Sequence, residues 1–231
     1  MFNFTRFIDR KTFGSAGMRL SAAGLKFLNV VFLARTLDPA DLGVFGLIVA
    51  FAMISVQVVG GEFHAISSRE VSSANKENVS QIICSQFRLH LYFHTVLLPI
   101  LFISLYLYDA YKSFCVLLPL LIFFEHMAIE LSRFLQFRFR PLACATVEFI
   151  RAGGWVVVFW IIVWTTNSTP TLNLLLICWV LFSFFASVVG FVAIRKYVSL
   201  NSFLMSKSKR SLHYYAPKAF PFFIIAILSG L

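Results

Sequence analysis

The sequence predicts an all-α integral membrane protein, and three observations carry the prediction. Hydrophobic residues make up 59% of the chain and charged residues 13%, with a mean hydropathy of +0.84, outside the range of water-soluble domains. Six apolar runs, at 14–37, 42–61, 82–107, 112–131, 143–164 and 172–194, are each long enough to cross about 30 Å of hydrocarbon as a helix. The basic residues alternate between the connections. Fifteen of them, from Arg6, Arg10 and Lys11 through Arg69, Lys76, Arg88, Arg133, Arg138 and Arg140 to Arg195–Lys218, fall on one side, and only Arg35 and Lys112 on the other. Positive residues mark the cytoplasmic face, so the N-terminus is expected there. The same distribution explains the net charge of +10 without nucleic acid, because no single basic patch forms.

The N-terminal stretch MFNFTRFIDRK is basic, but the apolar run after it holds two cations and no small-residue cleavage site, so it is not a cleaved signal peptide. In that first run Arg19 and Lys26 are seven residues apart and share a helical face, with Asn29 on nearly the same side. Arg19 is near enough to the helix start to snorkel. Lys26 is roughly 18 Å along at 1.5 Å per residue, close to mid-membrane. Two cations at such depth cost about 5–7 kcal/mol, so they should face a watered cavity, an anion or a partner helix. Snorkelling with close helix packing is the alternative. The run closes at Leu37-Asp38-Pro39, where the residue before proline is extended and Asp41 is expected to cap a second helix from about Leu42.

The second run ends at Gly60-Gly61 and is followed by a polar, periodic stretch read as a helical extension. Glu62 and His64 there suit either a gate or a solvated helix end. His90 and His94, four apart on the third run, have a metal-compatible spacing but no third ligand in sequence, and read as part of an interfacial aromatic belt. On the fourth and fifth runs, Glu130 with Arg133 and Glu148 with Arg151 are three apart and are expected to pair along their own helices. Glu125 and His126 lie deeper with no local partner, and are the candidates for a proton- or cation-responsive group, packing being the alternative. Gly153-Gly154 beside Trp155 would permit close helix approach, and Arg151 could join Arg19 and Lys26 around one cavity. Cys84, Cys115, Cys144 and Cys178 are scattered singly and read as packing residues.

The stretch LARTLDPADLGVFGL after a basic, Gly/Ala-rich first helix resembles the polysaccharide (O-antigen or capsule-type) flippases of the multidrug/oligosaccharidyl-lipid/polysaccharide exporter superfamily. Asp38 stands where that family commonly has glycine, and Leu42 where it has an aromatic. Arg69-Glu70 after the second run and the arginine-rich loop before Glu148 are similar to the family pattern as well. The resemblance implies two lobes with twelve to fourteen helices in all. Residues 1–196 would then be the six-span N-terminal lobe, 197–218 a basic cytoplasmic linker, and 219–231 the truncated start of a seventh helix in the second lobe.

It implies a bacterial inner-membrane flippase that moves a polyprenyl-diphosphate-linked oligosaccharide by alternating access, making and breaking no bond. Its partners would be that lipid-linked oligosaccharide, membrane lipid and a second lobe or second copy, with no cofactor or metal. Arg19, Lys26, Asn29 and Arg151 are the expected substrate contacts, since a diphosphate crossing the bilayer exchanges hydration for protein cations. Two alternatives are a cation-type multidrug exporter, whose cavity should be acidic, and a membrane glycosyltransferase or polymerase using Asp38 and Asp41. The deep cations disfavour the first. The shortness of the translocated loops disfavours the second.

Overall fold

A computed structural model describes residues 10–61, 63–73, 76–138, 140–198 and 220. These residues are all-helical and include six helices long and apolar enough to cross a membrane: Thr12–Thr36, Pro39–Gly60, Asn78–Leu107, Tyr111–Phe137, Pro141–Thr166 and Leu172–Ile194. The expected linker, apart from its first two residues, and the expected seventh helix, apart from Phe220, lie outside the described residues, as does Glu62.

Helix α1 (Arg10–Thr36) and helix α2 (Pro39–Gly60) form the first hairpin. Its turn corrects the expected cap. Asp38, extended at φ −73° and ψ 158°, accepts a hydrogen bond from the Ala40 amide at 3.2 Å, and Pro39 opens the helix. Proline suits the first helical position because its missing N–H has no intrahelical acceptor there, so α2 starts three residues before Leu42 and Asp41 falls inside its first turn. At the other end Gly61 takes a left-handed conformation (φ 51°) and its amide caps Gln57. A short helix, α3 (Phe63–Ser73), leads to α4 (Lys76–Leu107).

After a 3₁₀ turn, Asp109–Phe114, helix α5 (Leu117–Phe137) runs through the centre of the bundle against α2, α3, α4, α6 and α8. The fifth span consists of α6 (Pro141–Phe149), a π-helical turn (Ile150–Gly154) and α7 (Trp155–Thr166). The last span is α8 (Leu172–Ile194), capped by Thr171. A Cβ on Gly153 would stand 3.2 Å from the Ala22 Cα, and one on Gly154 2.7 Å from the Phe182 ring. The glycine pair therefore lets α1 and α8 approach the π-turn from two sides.

Apolar packing falls into two clusters. One gathers Leu33, Phe45, Leu121, Ile122, Phe159 and Leu175, and the other Val79, Ile83, Leu131, Phe134, Leu135 and Val147. Along α5 the buried polar residues Glu125, His126 and Glu130 lie between Ile122 and Leu131, so the bundle has a polar waist between two apolar ends. Large apolar side chains on the outside, such as Leu20, Phe27, Leu47, Met53 and Phe191, are exposed, as suits a hydrocarbon solvent.

Candidate functional site

A cavity of about 360 Å³ opens into the waist, within the size range of small-molecule sites. Helix α1 contributes Lys26 and Asn29, α2 contributes Gln57, α5 contributes Glu125 and Arg133, and the π-turn contributes Arg151 beside Trp155. Three of the expected site residues, Lys26, Asn29 and Arg151, thus line one space with Glu125. Arg19 does not join them. Its Nε is 2.9 Å from Glu148 Oε2, and an Nη donates to Cys144 Sγ at 3.5 Å, on the face of α1 that packs against α6.

The π-turn explains both this and the failed pairing of Glu148 with Arg151. One extra residue in the turn rotates Arg151 away from the face it would occupy in an unbroken α-helix. Its guanidinium then reaches across to α5, where Nη1 donates to Glu125 Oε1 at 2.7 Å. Ser183 of α8 donates to the other Glu125 oxygen at 2.9 Å. Glu125, without a local partner in sequence, is therefore held from two other helices. Glu130 and Arg133 do pair as their spacing implies, at 2.6 Å.

The charges of the cavity are consequently unequal in availability. Arg151 is matched by Glu125 and Arg133 by Glu130, whereas Lys26 makes no hydrogen bond or ion pair within 4 Å among the described residues. Lys26 is exposed to the space in front of it. Asn29 is buried and accepts from Trp160 Nε1 at 3.1 Å, which holds α1 to α7 one turn beyond Lys26.

The histidines depart from the expected interfacial belt. His90 and His94 are each 1% exposed and His126 is wholly buried. Sequence reading missed this grouping because the His90–His126 contact is made between α4 and α5 and has no local spacing. His90 Nδ1 and His126 Nε2 are 2.9 Å apart with the rings stacked, and His94 Nδ1 donates to the His90 carbonyl at 2.8 Å. Among the described residues no group of three or more His, Cys, Asp or Glu is arranged to hold a metal ion. Outside the spans, His64 on α3 has its pKa pushed down to about 4, first by burial and then by the nearby Arg133 guanidinium, with Glu130 opposing. The four cysteines are free, and Cys84, Cys144 and Cys178 are buried in packing positions.

Comparison with protein-family models, curated proteins and solved structures found no match. The fold and its composition themselves establish a multi-pass, all-helical membrane protein with six candidate spans.

Proposed function

We propose that the chain is the lobe of a lipid flippase that binds the diphosphate of a polyprenyl-linked oligosaccharide in the waist cavity and carries it between leaflets, with no bond made or broken. The observation that carries this reading is Lys26, a cation near the middle of the span Thr12–Thr36, uncompensated and facing a cavity. A lone ammonium at that depth is stabilised by an anion or by water, and a diphosphate offers two charged groups to it and to the flanking Arg133 and Arg151. The resemblance at LARTLDPADLGVFGL supplies the sugar-lipid class and the bacterial inner membrane with a cytoplasmic N-terminus. A cation exporter fits the charge less well, because the carboxylate that lines the cavity, Glu125, is already matched by Arg151.

The test is binding of farnesyl diphosphate, a short polyprenyl diphosphate, to the purified full chain in neutral detergent. Farnesol serves as the uncharged control. Binding of the diphosphate, weakened by salt and reduced by about tenfold or more in Lys26→Ala, supports the reading, since one charge-assisted contact is worth about 1.5–3 kcal/mol. Equal binding of farnesol and the diphosphate, or no change in Lys26→Ala, overturns it.

A further inference from the structure

On the face of α5 opposite the waist cavity lies a second space, an apolar groove of about 380 Å³. Glu125, Ile129 and Arg133 point one way around that helix, and Phe123, Phe124 and Leu131 the other. Helix α5 forms the floor of the groove, α4 one wall with Phe87 and Leu91, and α8 the other with Phe184 and Phe191. The one hydroxyl, that of Ser187, is turned to backbone, 3.0 Å from the Phe124 carbonyl and 2.9 Å from the Ser183 carbonyl. Leu91, Phe184, Phe191 and Val192 are exposed, so the groove opens sideways toward lipid. From Phe184 to Ile194 it follows about 15 Å of α8, half of a hydrocarbon core of about 30 Å and thus the depth of one leaflet.

The shallow end of the groove is charged. Ile194 and Val198 line it, and between them stand Arg195 and Lys196, both exposed. The Tyr197 amide donates to the Ile194 carbonyl at 2.8 Å, which holds these residues in a turn at the end of α8. Arg138, just past the end of α5, brings its guanidinium carbon to 5.1 Å from the Tyr197 ring centroid, and Lys196 Nζ is 5.2 Å from the same centroid. Arg140 donates to the Ala193 carbonyl at 3.0 Å, so the carbonyl end of α8 already has its cation. Arg138, Arg195 and Lys196 make no ion pair within 4 Å among the described residues.

A second apolar groove, of about 490 Å³ between α2 and α4, lies toward the other end of the bundle and finishes differently. Tyr108 and Tyr111 edge it, and the 3₁₀ turn beside them carries Asp109 and Lys112, one charge of each sign. That mouth selects for neither sign.

We propose that the groove between α4 and α8 binds one anionic glycerophospholipid from the leaflet on the side of the basic connections. An acyl chain lies on Phe123, Phe124 and Phe191, and the phosphate sits among Arg138, Arg195 and Lys196. Apolar contact alone does not choose between lipids, because the surrounding tails are equally apolar. The choice comes from the cations, which repel one another until an anion stands between them. A zwitterionic lipid brings a cation of its own to the same place and gains less. Residues 199–231 hold no Asp or Glu to neutralise the cluster. A second copy seated groove to groove would set the same three cations against these. An anionic lipid supplies both the chain and the charge.

The inference is independent of what the waist cavity carries. Native mass spectrometry of the purified full chain, released from neutral detergent with phosphatidylglycerol or phosphatidylcholine of the same acyl chains added, counts the lipids retained and ranks their affinities. The expected result is one phosphatidylglycerol held about tenfold or more tightly than phosphatidylcholine, within the roughly fivefold per cation that basic side chains near a charged surface supply. In Arg195→Gln/Lys196→Gln, where both side chains are exposed and folding is not at stake, the preference should fall to about twofold. Val188→Trp, on the exposed wall of α8, fills the groove and should weaken retention of both lipids with the cations intact.

Lys207→Gln/Lys209→Gln/Arg210→Gln removes three cations of the same basic stretch beyond the described residues, and should leave the preference unchanged. A loss there equal to that of Arg195→Gln/Lys196→Gln makes the attraction diffuse and overturns the site. Equal affinity of the two lipids for the wild type overturns it as well, as does unaltered retention in Val188→Trp. Retention of neither lipid by a monomer overturns it in favour of cover by residues 199–231, and a lipid-free dimer in favour of a second copy.

Discussion

Removing the Glu125 carboxylate is the sharpest test of how the waist is held. Three helical segments meet on that group: α5 supplies it, the π-turn brings Arg151 to one oxygen at 2.7 Å, and α8 brings Ser183 to the other at 2.9 Å. In Glu125→Ala the guanidinium, whose side chain is 18% exposed, is left largely buried without a counter-charge. Breaking a buried pair by deleting one member costs about 3–5 kcal/mol; partial access of Arg151 to the cavity places the loss at the lower end, about 3 kcal/mol. Removing Arg151 alone strands the carboxylate in the same way, whereas removing both leaves no unpaired charge. The double variant Glu125→Ala/Arg151→Ala should therefore lose less than the two single losses added, by about 2 kcal/mol or more.

The assay is thermal unfolding of the detergent-purified chain, followed by reaction of a thiol dye with the buried Cys144 and Cys178. Circular dichroism before heating shows that each variant starts folded. Additive losses, with no coupling between the two sites, would refute the assignment of this pair as the clamp joining the π-turn to α5.

Other perturbations separate the remaining parts. Arg19→Ala, which breaks the exposed pair with Glu148, should leave farnesyl diphosphate binding within about twofold of wild type and stability within about 1 kcal/mol; a loss as large as that of Lys26→Ala would put Arg19 back in the cavity. Gly154→Leu places side-chain atoms where Phe182 stands and should cost about 1–3 kcal/mol in the same unfolding assay, with Ser at that position milder. The His64 imidazole is neutral in the folded chain down to about pH 4, while the unfolded chain takes up its proton near the ordinary value of 6.5. Stability conferred by His64 is thus fully present above 6.5 and falls as the pH drops from there through 4. His64→Gln should flatten that part of the stability–pH curve, and an unchanged slope would count against the burial of this ring.

The spans were legible in the sequence because a membrane helix announces itself by length and apolarity, both local properties. The six runs match the six helices, and the main extension, from 131 to Phe137 on α5, adds one charged residue, Arg133, which is paired with Glu130. Lys26 and Asn29 could be placed on one face from helical phase, whereas Arg151, on another span, could be added only by supposing that the spans bundle, and the π-turn that aims it is not visible in the spacing. Arg19 could not be separated from Lys26 in that way, because its allocation depends on which neighbour offers an acid, and Glu148 does so from α6. The Glu148–Arg151 spacing misled for a related reason: an i,i+3 rule presumes an uninterrupted α-helix, and the π-turn starts between the two residues. The histidine row was hidden because His90 and His94 sit 36 and 32 residues from His126.

That row also has a mechanical meaning for α4 and α5. Apolar membrane helices in contact with lipid have little to choose between one sliding position and the next, since a displaced leucine finds another leucine or a lipid tail. Two interhelical hydrogen bonds one turn apart, Gln86 to Glu130 and His90 to His126, remove that freedom. A slip of a single turn would leave at least one buried carboxylate or imidazole facing hydrocarbon. The pair therefore works as a registration pin: α4 and α5 keep one longitudinal alignment, and movement between them is confined to tilting and rotation about the waist.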